Sequence, residues 1–379
     1  MHSNSRRTDT IRDLLAVREI PQLGDVGLAR ARTTHGSAWA ILEHQSAEVR
    51  DRAYAEADRI VAQTAGMGAH LVSVLSHDYP ARLAELRDAP DVLFAKGTLA
   101  MADAPAVAIV GTRRATSYGL RVARALATTC ARAGVTVVSG MAHGIDGAAH
   151  EAALAAGGRT VGVLGTGLNV VYPRQHRELQ SRVGEDGLLL TELAPNRPGH
   201  GGSFPRRNRI IAALADITVV VEAGEGSGAL ITANYAHELH RRVAVVPNAI
   251  DVPSSKGANL LLKEGAEPLL APEDVLTMLE LRAQPTAAPI LDGDAATCWD
   301  ALVRGADDVA AIARLSSIPT RAAAAAVTAL ELEGLVQVEA TGRIRMTIAS
   351  APLASAPLAS ALLASASFAS ASFAAAVPR

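Results

Sequence analysis

From about residue 105 onward the chain alternates between short β-branched runs and Ala-rich helical stretches. The runs occupy residues 107–110, 135–139, 160–164, 188–192, 217–222 and 243–247. Each run is continuously apolar instead of alternating apolar with polar, which marks strands buried on both faces, and the helical stretches between them make neighbouring strands parallel. The pattern predicts a doubly wound α/β domain with a mostly parallel sheet. In such sheets ligands bind beyond the carboxyl ends of the strands, so the residues that follow each run are the candidates for chemistry.

The flanks follow other periods. Residues 11–75 read as short helices broken at Pro21-Gln22-Leu23-Gly24 and His35-Gly36-Ser37, which predicts a small helical domain (SAM- or HhH-like) over residues 1–77. An extended connector, Asp78-Tyr79-Pro80 through Lys96-Gly97, leads into the main domain at 78–281 and is expected to add an edge strand to its sheet. A linker at 282–298 carries Pro285, Pro289 and Gly293. Residues 307–315, 320–332 and 336–346 then give helix, helix and a hairpin around Thr341-Gly342, the order of a winged-helix domain at 299–348. Residues 349–379 hold a five-residue Ala/Ser repeat in which Leu353, Leu358, Leu363, Phe368 and Phe373 advance ~140° per repeat at helical pitch and form no single stripe. That predicts a disordered tail. Pro352, Pro357 and the serines argue against a membrane span there.

Composition narrows the chemistry. A net charge of −2 over 379 residues excludes a uniformly basic coat, so any polyanion site is a local patch. Eleven aromatic residues make each ring beside a basic cluster count for more. Cys130 and Cys298 have neither metal-ligand nor CxxC spacing, which predicts reduced core thiols in a cytoplasmic protein. The charged N-terminus has no run of signal-peptide type.

Five loops stand at predicted strand ends. Gly111-Thr112-Arg113-Arg114 joins backbone amides to two guanidinium groups, a phosphate seat. Ser139-Gly140-Met141-Ala142-His143-Gly144-Ile145-Asp146 leads into a helix that Asp146 is expected to cap, with His150 one turn on to pair with it, while His143 faces a ligand. Gly165-Thr166-Gly167 has Tyr172-Pro173-Arg174 just beyond. The run Phe204-Pro205-Arg206-Arg207-Asn208-Arg209-Ile210 concentrates three guanidinium groups, an aromatic and an amide before an apolar helix, a combination suited to a nucleic-acid strand. Gly226-Ser227-Gly228 starts a further helix with a capping hydroxyl. Glu192 and Glu222 end strands nearby and are expected to fix arginines. A nucleotide-hydrolysing reading would make one of them a general base.

Taken in order from Tyr79-Pro80 through Gly111-Thr112-Arg113, Ser139-Gly140-Met141-Ala142-His143-Gly144, Tyr172-Pro173, Phe204-Pro205-Arg206-Arg207-Asn208-Arg209, Ser227-Gly228-Ala229 and Gly257-Ala258-Asn259 to Gly265-Ala266, residues 78–280 resemble the bacterial DNA-processing protein A family, also called Smf. The resemblance implies an extended Rossmann-like domain that binds single-stranded DNA without sequence preference, self-associates as a homodimer and hands the strand to the RecA recombinase during transformation. It implies no catalysis, cofactor or metal. Carried onto this sequence, the strand contacts are Gly111, Thr112, Arg113, Arg114, Ser139, Gly140, His143, Gly165, Phe204, Arg206, Arg207, Asn208, Ser227 and Gly228, with Phe204 or Tyr118 supporting a base. One of Arg206 and Arg209 is expected to turn inward to a salt bridge. The chain departs from the family pattern at Pro247-Asn248 and in the Gly199-His200-Gly201-Gly202 insert, which is expected to be flexible. The rivals are a phosphoribohydrolase-like enzyme and an adaptor acting through the winged helix and tail.

Overall fold

The computed structural model describes residues 8–281 except 22, 24–27, 29, 30 and 32, and residues 291–346 except 333, 334 and 340. The repeat tail and most of the predicted linker lie outside the described residues. The chain divides into two compact units, Met1–Gln284 and Pro285–Arg379.

The first unit is built on a nine-stranded sheet: β1 (His70–Ser73), β2 (Val92–Gly97), β3 (Ala106–Val110), β4 (Thr136–Ser139), β5 (Thr160–Val163), β6 (Leu188–Thr191), β7 (Ile217–Val220), β8 (Arg242–Val245) and β9 (Glu267–Pro268), in the order β1-β2-β6-β5-β4-β3-β7-β8-β9. All neighbours from β6 to β9 run parallel, and β2 runs antiparallel to both β1 and β6. The six apolar runs are β3 to β8. Their continuous apolarity has a direct cause: Leu188 and Leu190 of β6 enter one core cluster and Leu189 the other, so both faces of the strand are covered.

Two boundaries differ from the sequence reading. The connector strand β2 lies inside the sheet, because β1, expected to be helical, takes the edge. The helices α1 (Ile11–Arg18), α2 (Ala38–Glu43) and α3 (Ala47–Gly66) share one apolar cluster with Phe94, Met141 and Leu189 of the sheet layer. Leu14, Leu15, Ile41 and Leu42 are buried in it. Local helical periodicity marks these helices but not the surface they cover, which is why a border at residue 77 reads as a domain boundary in one dimension.

The chain steps outward from β3 through β4 and β5 to β6, then crosses back to place β7 on the other side of β3. That reversal is the switch point of a doubly wound sheet, where the loops after two adjacent strands part and leave a crevice. The register sets Val110 opposite Val220, bringing the β3 and β7 loops level. The crossover helices start at this edge: α4 (Ser117–Arg132), α5 (Ile145–Ala155), α6 (Arg177–Asp186), α7 (Ser203–Leu214), α8 (Gly228–Glu238) and α9 (Lys256–Lys263).

The second unit holds α10 (Gly293–Val303), α11 (Val309–Ser316), α12 (Thr320–Leu332) and the antiparallel hairpin of β10 (Val336–Val338) and β11 (Ile344–Met346). Its core includes Cys298, Leu302, Ile312, Val327, Leu330 and Ile344. α10 begins inside the predicted linker, at Gly293, and carries Cys298 into that core. Both cysteines are free and buried, and burial pushes the Cys130 thiol up to about 12.

Candidate nucleic-acid interface

A cleft of about 840 Å³ opens at the switch point. Its walls are the β3 loop with Gly111, Thr112, Arg113 and Arg114, the first two turns of α7 with Phe204, Arg207 and Asn208, the β7 loop 224–228, and Ser254 and Lys256 at the start of α9. The β3 loop is held as a unit. Thr112 N donates to Glu222 O at 2.7 Å, and Ile145 N donates to Thr112 O at 3.4 Å. Thr116 donates to Glu222 Oε2 from both its amide and its hydroxyl at 3.0 Å, and Ser254 donates to the other oxygen. Glu222 is fully buried and fixes backbone and hydroxyls instead of the arginine expected for it. The clamp leaves Arg113 and Arg114 exposed on the wall of the cleft.

The arginines of α7 are placed differently. Arg207 is 6 % exposed and donates from Nη1 to Gly140 O at 2.7 Å and to Val163 O, and from Nε to Asn208 Oδ1 at 3.2 Å. Gly140 has to lack a side chain, because a Cβ there would lie 2.7 Å from both Arg207 Nη2 and Asp146 Oδ2. Asp146 accepts from Gly140 N at 3.1 Å and Ala142 N at 3.3 Å. It therefore shapes the β4 loop instead of capping α5, whose N-cap is Gly144. Burial pushes its carboxyl up to about 6 although Arg207 pulls the other way, and burial lowers Arg207 to about 10. His150 pairs with Thr160 Oγ1 at 2.7 Å, not with Asp146, and burial holds its ring down at about 3. Arg209, 2 % exposed, is the arginine that turns inward: it donates to Asp88 Oδ2 at 2.7 Å and Glu192 Oε1 at 2.6 Å. Arg206 is exposed but faces a separate small pocket with Arg18, Glu192 and His200.

The other sequence-selected residues divide in the same way. Ser139 is fully buried and its hydroxyl donates to Ile109 O at 2.6 Å, while Gly140 and Gly165 are buried backbone. Ser227 caps α8 by accepting from Ala229 N, and Gly228 O accepts from Asn208 Nδ2 at 3.0 Å; both residues line the cleft. His143 is exposed beside the His176 ring, 5.0 Å between centroids, and lines a second cleft of about 660 Å³. Phe204 lines both clefts. Its ring leaves little face for a base: Arg113 Cζ lies 5.6 Å from its centroid and the Tyr172 ring 4.9 Å away. It also presses on Gly165, where a Cβ would come within 2.6 Å of Cδ1. Tyr118 lines neither cleft and donates its hydroxyl to Pro247 O at 3.3 Å. The 199–202 insert is tied down, with His200 N donating to Ser203 Oγ at 3.0 Å and Ser203 Oγ donating to Gly165 O at 2.8 Å. Sequence reasoning missed Lys256 as a site residue, although it stands one position before the Gly257-Ala258-Asn259 motif. Among the described residues no group of three or more His, Cys, Asp or Glu could hold a metal ion, and no helix is long and apolar enough to cross a membrane.

Fold and site define a doubly wound α/β protein with a basic, glycine-walled cleft at its switch point. The profile of the DNA recombination-mediator protein A family matches residues 70–280, more than half the chain, and the chain belongs to that family. The protein Smf of Synechocystis sp. is 42% identical over 219 residues, 57% of this chain and 54% of that protein, so the match spans about half of its length. Among solved structures, DNA processing protein A from Streptococcus pneumoniae superposes with a TM-score of 0.62 at 33% identity, covering 72% of this chain and 98% of that one. DNA processing protein A from Helicobacter pylori, whose structure was reported for its single-stranded DNA binding mode, gives 0.51 at 29% identity, covering 56% and 95%.

Proposed function

We propose that this protein binds single-stranded DNA without reading its sequence, protects the strand, and passes it to the RecA recombinase in DNA processing and natural transformation. It acts in the cytoplasm as a homodimer, without catalysis or cofactor, and residues 299–348 serve as a winged-helix module. The observation that carries the reading is the switch-point cleft, where Arg113, Arg114 and Lys256 stand beside loop amides and the N-terminus of α8. Guanidinium and ammonium groups there neutralise phosphates, and helix-terminal N–H groups donate hydrogen bonds to others. None of these groups reads a base edge, which suits sequence-independent binding. Membership in the DNA recombination-mediator family and the strand-binding Helicobacter relative support the same reading. Glu192 and Glu222, the bases a phosphoribohydrolase would need, are engaged with Arg209 and with Thr116 and Ser254 respectively.

The test is fluorescence anisotropy of labelled oligo-dT, with duplex as competitor, across a salt series. Three neutralised phosphates per protomer give a log–log salt slope of ~2. Tight binding with that slope and poor competition by duplex is the expected outcome. Affinity independent of salt, or equal for duplex, would overturn the cleft as the binding site.

A further inference from the structure

The second cleft has a different character from the first. Apolar Val170, Val171, Pro173 and Pro198 line it around Tyr172, polar His143 and His200 share the wall, and Arg174 is its arginine. Phe204 lines both clefts, so a strand that leaves the basic cleft past Phe204 enters the second. Phe204 itself is covered by Arg113 and Tyr172, whereas Tyr172 is 45% exposed, with its inner side braced by the Phe204 ring. The 198–201 stretch lines the same cleft, and His200 N donates to Ser203 Oγ. A partly exposed ring packed on Phe204 inside a cleft of mixed apolar and polar lining suits a flat ligand face with a polar rim.

We propose that this second cleft is a nucleobase subsite in which an unpaired base of the strand stacks on Tyr172. The inference rests on the single-strand reading above and adds a second source of discrimination to it. Phosphates are held on one side of Phe204, and a base is held on the other. A base inside a duplex has both faces covered by its neighbours and cannot occupy the subsite, whereas every unpaired base has a π-face to offer. Strand selectivity therefore arises without base-edge contacts.

The experiment is an anisotropy titration of the full chain with oligo-dT and with a strand of equal length carrying abasic sites. Wild type is expected to bind oligo-dT about tenfold more tightly than the abasic strand. Tyr172→Ala is expected to bind the two alike with the salt slope of the wild type, since no phosphate contact is lost. Tyr172→Phe, which keeps the ring, is expected to restore the preference and to show that loss of the ring, not of the fold, is what Tyr172→Ala reports. A wild type that binds both strands equally, or a Tyr172→Ala variant that retains the wild-type ratio, overturns the base subsite while leaving the phosphate cleft standing. A wild type that binds neither strand removes the single-strand reading and the subsite with it.

Discussion

The loop 111–116 and the helix α7 both bring arginines to the same cleft, yet they use them in opposite ways. In the loop, the carboxylate of Glu222 works from beneath, holding Thr116 and Ser254 while Arg113 and Arg114 stay in water. In α7, helical pitch turns successive arginines to different sides. Arg206 stays exposed, Arg207 points into the β4 and β5 carbonyls, and Arg209 points to Glu192 and Asp88. A guanidinium group is a ligand contact where its desolvation is left to the ligand, and a structural brace where the fold has already desolvated it. The β3 loop thus keeps its guanidinium groups accessible, and Arg207 and Arg209 of α7 are engaged within the fold.

This contrast breaks first at Arg209. Arg209→Ala leaves two carboxylates without their shared cation, Glu192 among them in a half-buried place, and is expected to lower stability by about 3–5 kcal/mol in urea unfolding. A loss confined to strand affinity would make Arg209 a contact and dissolve the distinction. The next test lies in the pair beneath Gly140. The Asp146 carboxyl sits at about 6 in the folded protein against 3.8 for the free group. Its stabilising contribution is complete below the lower value and is lost as pH rises through the upper one, about 3 kcal/mol in all. Asp146→Asn removes that dependence, so wild type is expected to lose stability relative to the variant between about pH 4 and about pH 7 in parallel thermal melts. His150, held at about 3, acts in the opposite direction by losing stability as pH falls, and it cancels in the comparison of the two proteins.

The loop side of the comparison is sharpened by Arg113→Ala/Arg114→Ala. This double variant is expected to keep its unfolding midpoint, weaken oligo-dT binding by about 2 kcal/mol, or roughly thirtyfold, and lower the salt slope by about 1.4. A fall in the midpoint comparable with that of Arg209→Ala would place these arginines among the braces. The smallest effect is expected at Ser139→Ala. Its hydroxyl donates to Ile109 O out of reach of solvent, so the cost is about 1 kcal/mol of stability with an unchanged salt slope.

Much of this was legible in one dimension because it follows from local periodicity. Runs of β-branched residues with helical stretches between them specify parallel strands covered on both faces, and the carboxyl-end rule then selects the cleft loops before any contact is known. The inward turn of one α7 arginine was legible from helical pitch alone. What stayed hidden depended on partners distant in sequence. Glu222 reads as a partner for arginine or a general base until β7 sets it under Thr116. Asp146 and His150 sit at pairing distance along the helix but are drawn to Gly140 and Thr160. Lys256 follows no strand-end pattern, and Tyr172 gains its meaning only when Phe204, 32 positions later, is found against its ring.

The sequence by itself determined the doubly wound sheet, the family and the set of loops that meet at one edge, because these rest on hydrophobic period and motif order. The tertiary structure decided which arginines face solvent, which carboxylates hold backbone, where β1 and the N-terminal helices join the core, and which aromatic ring keeps a free face. The physical reason is that exposure and desolvation belong to the packed surroundings of a side chain, and residues far apart along the chain supply those surroundings.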